Sequence, residues 1–504
     1  MMTRLFPSRH IRLLLTLALT GCAAVGPNYT VPEHAAIQRP SARGPFIQAA
    51  AGAQVTTVPQ ATFAIYRQDA VPGQWWRLYD NATLDQLVTQ ALAANTDLRT
   101  AAANLERAQA ATQEALALQQ PIVGVTAGAS YGHISGMQEL APKVRPPNKW
   151  SYAAGGGVSY QVDLVGQIRR AIEAAQGDAE AAQAAYDATR ITVVAETARA
   201  YVMLCAAGAQ LASAQHSVAV QDESRQVVER LQQGGRGTLL DVTRAKSQLH
   251  QLQANVTPFQ AQQRVALYRL AALTGQTPGE ISPTLTACAV IPRVTQPIPV
   301  GDGAALLRRR PDIRQAERSL AANTARIGIV TADLYPKISL GLSGASAGPT
   351  SYFGERGTYS WSIGPLISWT IPNTGTVQAR IAQAEAGTRA AFAHFDATVL
   401  NALRETESIL VTYARELDRD TALSAARDQS AQAAAQARQL YRYGKTDYLT
   451  VLDAERTLAA TETALVASQA ALGDEQVTLF LALGGGWEEK SASAPRPAAA
   501  KEGS

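Results

Sequence analysis

The side chains that could do chemistry in this sequence are its cysteines, its histidines and a few acidic residues. The 504 residues include three cysteines and six histidines. The histidines are scattered, without the i, i+4 spacing by which a helix presents two imidazoles to one metal ion. The sequence also contains no nucleophile elbow, phosphate-binding loop or paired catalytic carboxylates. These patterns argue against an enzyme, and they predict neither a metal site nor a bound cofactor.

Cys22 is the cysteine whose surroundings indicate a specific reaction. It follows an apolar run at 13–19 that is flanked by arginines and is too short to span a bilayer, as in a signal peptide. The run Leu19-Thr20-Gly21-Cys22 resembles the lipobox of bacterial lipoproteins, in which the cysteine thiol receives a lipid. The next residue is Ala23. In such lipoproteins an aspartate at this position favours retention in the inner membrane, so its absence favours the outer membrane. We expect a lipidated Cys22, with an ordinary signal peptide as the alternative.

The other two cysteines, Cys205 and Cys288, give no such indication. Cys205 lies in a helical run and Cys288 in a predicted loop, and neither has the spacing of a metal ligand. A disulfide cannot be deduced from their positions, since bonding requires Cα atoms within about 7 Å of each other. We interpret both as buried free thiols and leave a disulfide open.

The composition favours long packed helices. Aromatic residues make up 6% of the chain, and alanine and glutamine are abundant over stretches with few prolines. The formal net charge is +4, and the basic residues are spread along the chain without forming a stripe with interleaved aromatic residues. We therefore expect neither a large aromatic core nor a nucleic-acid surface.

The chain contains two copies of one plan. Segment 92–98 aligns with 307–313, and a later offset of 209 residues relates Gly235 to Gly444. Each copy reads as a helix, two strands, a very long helix, a turn and a long helix. The predicted organisation is a signal peptide at 1–21, a lipidated N-terminal segment at 22–80, a first repeat at 81–277, a linker at 278–300, a second repeat at 301–487 and a disordered tail at 488–504, with 23–70 also reading as disordered.

Four segments alternate apolar residues with small or polar ones. They are residues 123–131, 158–164, 338–343 and 359–371. Their lengths suit tilted transmembrane strands of about 9–11 residues, although soluble hairpins show the same alternation. A bilayer tolerates only closed barrels, and the smallest single-chain barrel has about 8 strands, so one chain cannot close alone. We therefore predict a trimeric twelve-stranded β-barrel with four transmembrane strands per protomer, in a mainly α protein.

The helical segments are too long for a compact domain. Residues 167–233 contain no proline and would form a helix of roughly 100 Å, and the second copy repeats this from about 377 to 443. Such rods must pack lengthwise, which predicts a long α-helical coiled-coil barrel. Shorter helices are expected at 83–120 and 303–335, and Pro258 is expected to kink or break the return helix of the first copy.

Several stretches carry a resemblance to a known family. They are Trp75–Asp80, Leu307–Glu317, Tyr441–Gly444 and Tyr448–Ala454. In these stretches the chain resembles the TolC family, in its lipidated NodT/OprM branch, and the likeness covers nearly the whole mature chain. The resemblance implies a homotrimer, anchored in the outer membrane and extending into the periplasm. It also implies docking to a periplasmic adaptor (membrane fusion) protein that links the duct to an inner-membrane pump, commonly of the resistance-nodulation-division class.

The resemblance further implies a functional site at the two helical turns, where an adaptor docks and an iris-like gate closes the duct. The matching turns are Gly235-Arg236-Gly237 and Gly444-Lys445-Thr446. The family's ring of aspartates falls on Asp453, with Thr450 where a relative has a second aspartate. Such a ring would favour cations. Asp241 and Tyr441 match two members of a helix latch whose arginine is replaced here by Thr446.

These acids also fit a purely structural role. Thr238 with Asp241, and Thr450 with Asp453, match the capping pattern of a helix start, so both roles stay open. The basic run 308–310 is expected to be a solvated cap at a helix entry.

The leading functional hypothesis is a passive outer-membrane channel of a tripartite efflux system, exporting drugs and other toxic small molecules. The alternative is the outlet of a type I protein or peptide secretion system, which shares the fold. A third hypothesis, a surface-anchored coiled-coil scaffold, requires the helices but not the four alternating strands.

Replacing Cys22→Ser should abolish incorporation of labelled palmitate, because serine lacks the thiol that receives the lipid. The measurement is metabolic labelling followed by immunoprecipitation, with Cys288→Ser as the matched control that keeps its label. Continued labelling of the Cys22→Ser protein would remove the lipoprotein assignment.

Overall fold

The computed structural model describes residues 24–50, 65–133, 135, 143, 145–371 and 374–485. The expected signal peptide, Cys22 and the tail at 488–504 lie outside these residues. The helices are α1 (Pro40–Arg43), α2 (Ile47–Ala50), α3 (Ala82–Ala94), α4 (Thr96–Ala117), α5 (Gln167–Gln233), α6 (Leu239–Leu273), α7 (Gly303–Arg309), α8 (Pro311–Thr331), α9 (Thr374–Arg442) and α10 (Tyr448–Ala482). The strands are β1 (Tyr66–Arg67), β2 (Ile122–Gly132), β3 (Lys149–Val162), β4 (Ile298–Pro299), β5 (Lys337–Pro349) and β6 (Tyr359–Ser368).

The two very long helices and the four alternating strands are confirmed, but each shorter helix is interrupted. The expected helix at 83–120 breaks at Asn95, whose backbone is extended and whose side chain accepts hydrogen bonds from the Asp97 and Leu98 amides. The expected helix at 303–335 breaks at Arg310, because a residue before proline is disfavoured in the helical region. A cap and a proline therefore divide what periodicity alone reads as one helix.

Pro258 does not break its helix, so the expected break is wrong. Helix α6 runs through it from Leu239 to Leu273. Both Pro258 and Ala254, the residue whose carbonyl loses its intrahelical donor, are exposed, so water can satisfy that carbonyl.

The N-terminal segment before residue 50 is ordered against the helices, contrary to the expectation of disorder at 23–70. Ala35, Ala36 and Phe46 are buried. The Ala36 amide donates to the Asp396 carboxylate at 2.8 Å. Strand β1 pairs in parallel with β4, which belongs to the linker between the repeats. These partners are distant in sequence, so the local composition gave no sign of them.

The chain divides into two compact units, each drawing on both sequence repeats. Among the described residues, one comprises those within 24–31, 105–182 and 316–395, and the other comprises those within 32–104, 183–315 and 396–485. The first unit contains an antiparallel sheet with the strand order β2-β3-β5-β6. Within the described residues, β2 and β6 are each paired along one edge only.

The register of this sheet separates an apolar face from a small and polar one. Val123, Val158, Leu342 and Ile363 lie opposite one another across all four strands. The adjacent row, Gly124, Gly157, Ser343 and Ser362, belongs to the other face, and its two serine hydroxyls are 2.9 Å apart. The alternation predicted from the sequence is therefore preserved in the pairing.

The core of the second unit is built on the aromatic motif near residue 75. The fully buried Trp75 ring stacks on Phe480 at 4.7 Å and meets Trp76 and Tyr79 edge-on. Helix α5 carries the one stretch in the described residues that is long and apolar enough to cross a membrane, and most of that stretch is buried in the protein. Burial inside the protein accounts for the apolar character of this stretch of α5.

The cysteine pair and the basic run correct two expectations in this unit. Cys205 and Cys288 form a disulfide with a Cα–Cα distance of 4.8 Å, so they are not free thiols. Arg310 is not a solvated cap, since its side chain is 12% exposed. Its guanidinium donates to the Asp312 carboxylate and to the Ala482 carbonyl, the latter at 3.0 Å. The break between α7 and α8 at Arg310 thus places the Arg310 guanidinium at the C-terminal end of α10.

Replacing Arg310→Met should destabilise the protein by about 2 kcal/mol, because it leaves the Ala482 carbonyl and the Asp312 carboxylate without their donor. The measurement is thermal unfolding of the purified protein in detergent. The matched control is Arg308→Met, since Arg308 is exposed two residues earlier. Equal melting temperatures for the two variants would show that the Arg310 contacts contribute nothing to stability.

Candidate functional site at the hairpin tips

The two helical turns share one backbone geometry. In the first, Gly235 has φ +74° and the Arg236 amide donates to the Leu231 carbonyl at 2.8 Å. In the second, Gly444 has φ +69° and the Lys445 amide donates to the Leu440 carbonyl at 2.9 Å. Glycine fits both positions, because a side chain is disfavoured at positive φ in a helix C-cap. The sequence offset of 209 therefore reflects equivalent structures.

The two helices that leave the turns are capped by the same pair of residue types in opposite order. Thr238 and Asp241 form a capping box at the start of α6, with the Thr238 hydroxyl donating to the Asp241 carboxylate at 2.7 Å. At the start of α10, Asp447 is the cap and Thr450 is its partner, also at 2.7 Å. The capping alternative thus holds for Asp241. It is wrong for Asp453, because the cap of α10 lies six residues earlier.

Asp241 and Tyr441 are close to each other, together with Tyr448. The rings of Tyr441 and Tyr448 are 5.6 Å apart and tilted by 54°. Burial raises the pKa of Tyr441, and the negative charge of Asp241 raises it further. Two members of the expected latch therefore lie near enough within one chain to interact electrostatically, and the Asp241 carboxylate is bound by its own helix cap.

The remaining candidate residues are exposed or half-buried. Arg236, Lys445 and Asp453 are exposed, whereas Gly237 and Thr446 are half-buried. In the described part of the chain, no three His, Cys, Asp or Glu side chains converge as metal ligands. The roles of these residues in gating and docking stay predictions.

Beneath the turns, apolar contacts pack the two hairpins together, and ionic contacts join the two helices of the first hairpin. Val228, Val242, Tyr448 and Leu452 are buried in one cluster with members from all four long helices. Arg225 nearby donates to Asp222 and to Glu229, which also pairs with Lys246 at 3.2 Å. The two turns are thus carried by packed helices.

Sequence reasoning missed Glu455, a carboxyl group buried between these helices. The residue is 7% exposed, and within the described chain neither carboxylate oxygen has a hydrogen-bond partner. Burial raises the pKa of Glu455 by more than the nearby positive charge of Arg438 lowers it. Local sequence gives no sign of this, because the residues that bury Glu455 lie on other helices, as Arg438 on α9 and Ser224 on α5 show.

Comparison with known proteins agrees with the expected family. The chain belongs to the outer membrane efflux protein family, whose model matches residues 87–276 and 304–485, within the two sequence repeats. It is 29% identical over 426 residues to the outer membrane protein OprJ of Pseudomonas aeruginosa, covering 82% of this chain and 86% of that protein. It is 28% identical over 497 residues to the toluene efflux pump outer membrane protein TtgC of Pseudomonas putida, covering 96% and 98%.

A solved structure of the outer-membrane channel OprN is similar in fold. The two superpose with a TM-score of 0.82 at 35% sequence identity, over 92% of this chain and 99% of that one. The mainly α fold with a four-stranded sheet is therefore that of an outer-membrane channel, and the protein is an outer-membrane protein.

Replacing Glu455→Gln should stabilise the protein at pH 8 and have little effect near pH 4. The folded-state pKa of Glu455 is raised above the unfolded value of about 4.3, so the folded protein holds this proton longer. The contribution of protonated Glu455 to stability is complete below pH 4 and is lost as the pH rises through the folded pKa. Glutamine stays neutral and avoids that loss.

The measurement is the melting temperature of both proteins across this pH range. The control is Glu223→Gln, since Glu223 is exposed on α5 in the same unit. The difference in melting temperature between Glu455→Gln and the wild type should grow from pH 4 to pH 8. A constant difference would contradict the raised pKa of Glu455.

Proposed function

We propose that the protein forms the outer-membrane duct of a tripartite efflux system, as a lipid-anchored homotrimer that passes small toxic molecules outward. The duct is passive, and an inner-membrane pump of the resistance-nodulation-division class supplies the energy through a periplasmic adaptor. Family membership supports the channel role. The trimer, the anchor, the adaptor and the pump are the proposed parts.

The sheet of the first unit is the observation that carries this proposal. Its apolar side chains form an exposed patch that is unfavourable in water: Val125 is 80% exposed, Trp361 78% and Ile363 71%. Contact with lipid removes that penalty. Lipid in turn forbids open strand edges, so β2 of one copy must pair with β6 of the next until the sheet closes. Three copies of four strands give the expected twelve.

The chain just after Cys22 supports a lipid anchor at the sheet. The Val25 amide donates to the Val165 carbonyl at 2.9 Å, three residues after β3 ends. The Arg170 guanidinium donates to the Val25 and Gly26 carbonyls. Only two residues of chain separate Cys22 from Val25. A lipid on Cys22 would thus enter the same membrane as the strands.

The hairpin tips suit docking of the adaptor. Arg236 and Lys445 are exposed there beside large apolar side chains that are also exposed, namely Leu239 at 71% and Tyr443 at 69%. A mixed surface of this kind is typical of a protein contact. We assign adaptor docking to Gly235-Arg236-Gly237 and Gly444-Lys445-Thr446.

We favour small molecules over the secretion of proteins or peptides as cargo. The relatives that the chain matches over most of its length include one named for the efflux of toluene. The type I secretion outlet shares this fold and differs in its inner-membrane partner, so co-purification of the pump distinguishes the two.

We further propose that Asp453 lines the gate. Its side chain is exposed and caps no helix, and three copies around one axis would form an aspartate ring that attracts cations. Thr450, bound to Asp447, adds no second charge. Asp241 and Tyr441 would latch the neighbouring helices.

The proposed function predicts discrete single-channel conductance when the purified protein is added to a planar lipid bilayer. Asp453→Ala should reduce the preference for cations, because it removes three carboxylates from the constriction. The measurement is the reversal potential under a salt gradient. The control is Asp428→Ala, an exposed aspartate on α9. Absence of conductance would contradict the duct, and conductance with unchanged selectivity would remove Asp453 from the gate.

A further inference from the structure

A cavity of about 560 Å³ lies where the break between α7 and α8 meets the end of α10. The residues that line it come from α5, the start of α8, α9 and α10, and all of them belong to the second unit. Its volume is in the range of ligand sites in proteins, about 300–1,000 Å³. The cavity is separate from the residues of the hairpin tips, so neither the gate nor the docking site accounts for it.

The floor of the cavity is apolar and is built from small or rigid residues. Ile191 and Pro311 are buried at its base, and Ala482 and Gly484 contribute little side-chain volume. The Arg310 side chain is long enough to enter the space, but its guanidinium is held at the Ala482 carbonyl, 3.0 Å away. The cavity therefore follows from the helix break and from small side chains, and an apolar molecule would be stabilised by entering it.

The rim of the cavity supplies hydrogen-bond acceptors. Thr192 and Thr412 are exposed there. Their hydroxyls donate to backbone carbonyls one turn earlier, at Ala188 and Ser408, over 3.0 and 2.9 Å. Because the proton of each hydroxyl is used in this way, its oxygen can only accept a further hydrogen bond. A ligand that matches this rim must therefore carry a donor.

The charged groups at the cavity balance one another. Arg310 pairs with Asp312 at 2.7 Å and with Glu405 at 3.1 Å. Arg404 lies 3.6 Å from the same Glu405 carboxylate. The residues that line the cavity include these two cations and two anions and no further charge. A charged ligand would compete with these pairs and leave one of their members without a partner, so the lining favours a neutral molecule.

We propose that this cavity binds neutral molecules of one or two rings that carry a hydroxyl group, such as phenols and naphthols, and that it is a cargo site in the wall of the duct. The rings lie on the apolar floor, and the hydroxyl donates to the threonine oxygens at the rim. The role as a cargo site rests on the proposed function, whereas binding itself does not.

The orientation of α10 supports an opening toward the interior of the duct. Phe480 stacks on Trp75, and Gln476 binds the linker, so both residues face one side of α10. Thr478 and Ala482 line the cavity and lie on the opposite side of the helix, at about 100° of rotation per residue. In a tube walled by the long helices, the linker and the Trp75 core pack outside, because they would otherwise block the lumen. The cavity then faces the lumen.

Photolabelling of the purified full-length protein in detergent tests binding. The probe is trifluoromethyl-diazirinyl benzyl alcohol, a neutral molecule with one ring and one hydroxyl, and labelled peptides are identified by mass spectrometry. We expect label on the peptides that contain Ile191, Ile409 and Leu481, and we expect excess naphthol to abolish it. Label on the exposed sheet, which contacts detergent, should persist and is the internal control. Absence of label at the cavity, or label that naphthol does not displace, would overturn the proposal.

Ala188→Leu tests the shape of the cavity. The larger side chain extends into the space between the helices, so the label that naphthol displaces should be lost. The matched control is Ala214→Leu, since Ala214 is also half-buried on α5 and lies outside the cavity lining. Displaceable label that is equal in the two variants would contradict the assigned site.

A pair of rim substitutions tests the chemistry of the ligand without filling the cavity. On the native protein, naphthol should displace the probe at a lower concentration than methylnaphthalene, which has no donor. Replacing both Thr192→Val and Thr412→Val should remove this difference, because valine keeps the branched shape of threonine but has no oxygen. Both residues are exposed, so the fold should tolerate the change. Equal potency of the two competitors on the native protein would overturn the assigned class of ligand.

Bilayer conductance of the same preparations separates this inference from the proposed function. A conducting channel whose cavity label is not displaced would contradict the binding site alone. Displaceable label in a protein without conductance would contradict the duct, and with it the role of the site in export, but not the binding.

Discussion

The rest of the structure depends on a sheet whose two outer strands, as far as the chain is described, each have one edge without a partner strand. Backbone amides and carbonyls without partners cost several kcal/mol in hydrocarbon, so the edges of β2 and β6 cannot face lipid. The apolar row through Val123, Val158, Leu342 and Ile363 is exposed at all but Val158, and it requires an apolar neighbour. Closing the sheet with further copies of the chain satisfies both demands, which makes assembly and membrane insertion one event in the account we propose.

Duplication explains how one chain builds two equivalent hairpins and where they differ. The glycines at 235 and 444 keep the same turn, and the capping pairs keep the same chemistry with threonine and aspartate exchanged. The differences lie in residues that do not shape the turns. The disulfide belongs to the first hairpin only, and the buried carboxyl Glu455 belongs to the second. The two hairpins therefore share a backbone geometry and differ in the side chains that link or fill them.

The sequence predicts the features that repeat along the chain and misses those that depend on distant partners. The helix at 167–233 and the four strands follow from periodicity and from the placement of prolines, and the structure confirms them. The burial of Arg310 depends on a carbonyl 172 residues away, and the disulfide joins cysteines 83 apart. Composition near residues 24–50 suggests disorder, but these residues are ordered by buried contacts with other segments of the chain. Local patterns hold no information about such contacts.

The mass of the intact assembly tests the central claim most directly. Native mass spectrometry of the full-length protein, released from a mild detergent, should give three chain masses, each including its lipid. A homogeneous monomer that remains stable and folded in detergent would contradict the account, because one copy would then hold its four strands in an apolar environment with both edges open.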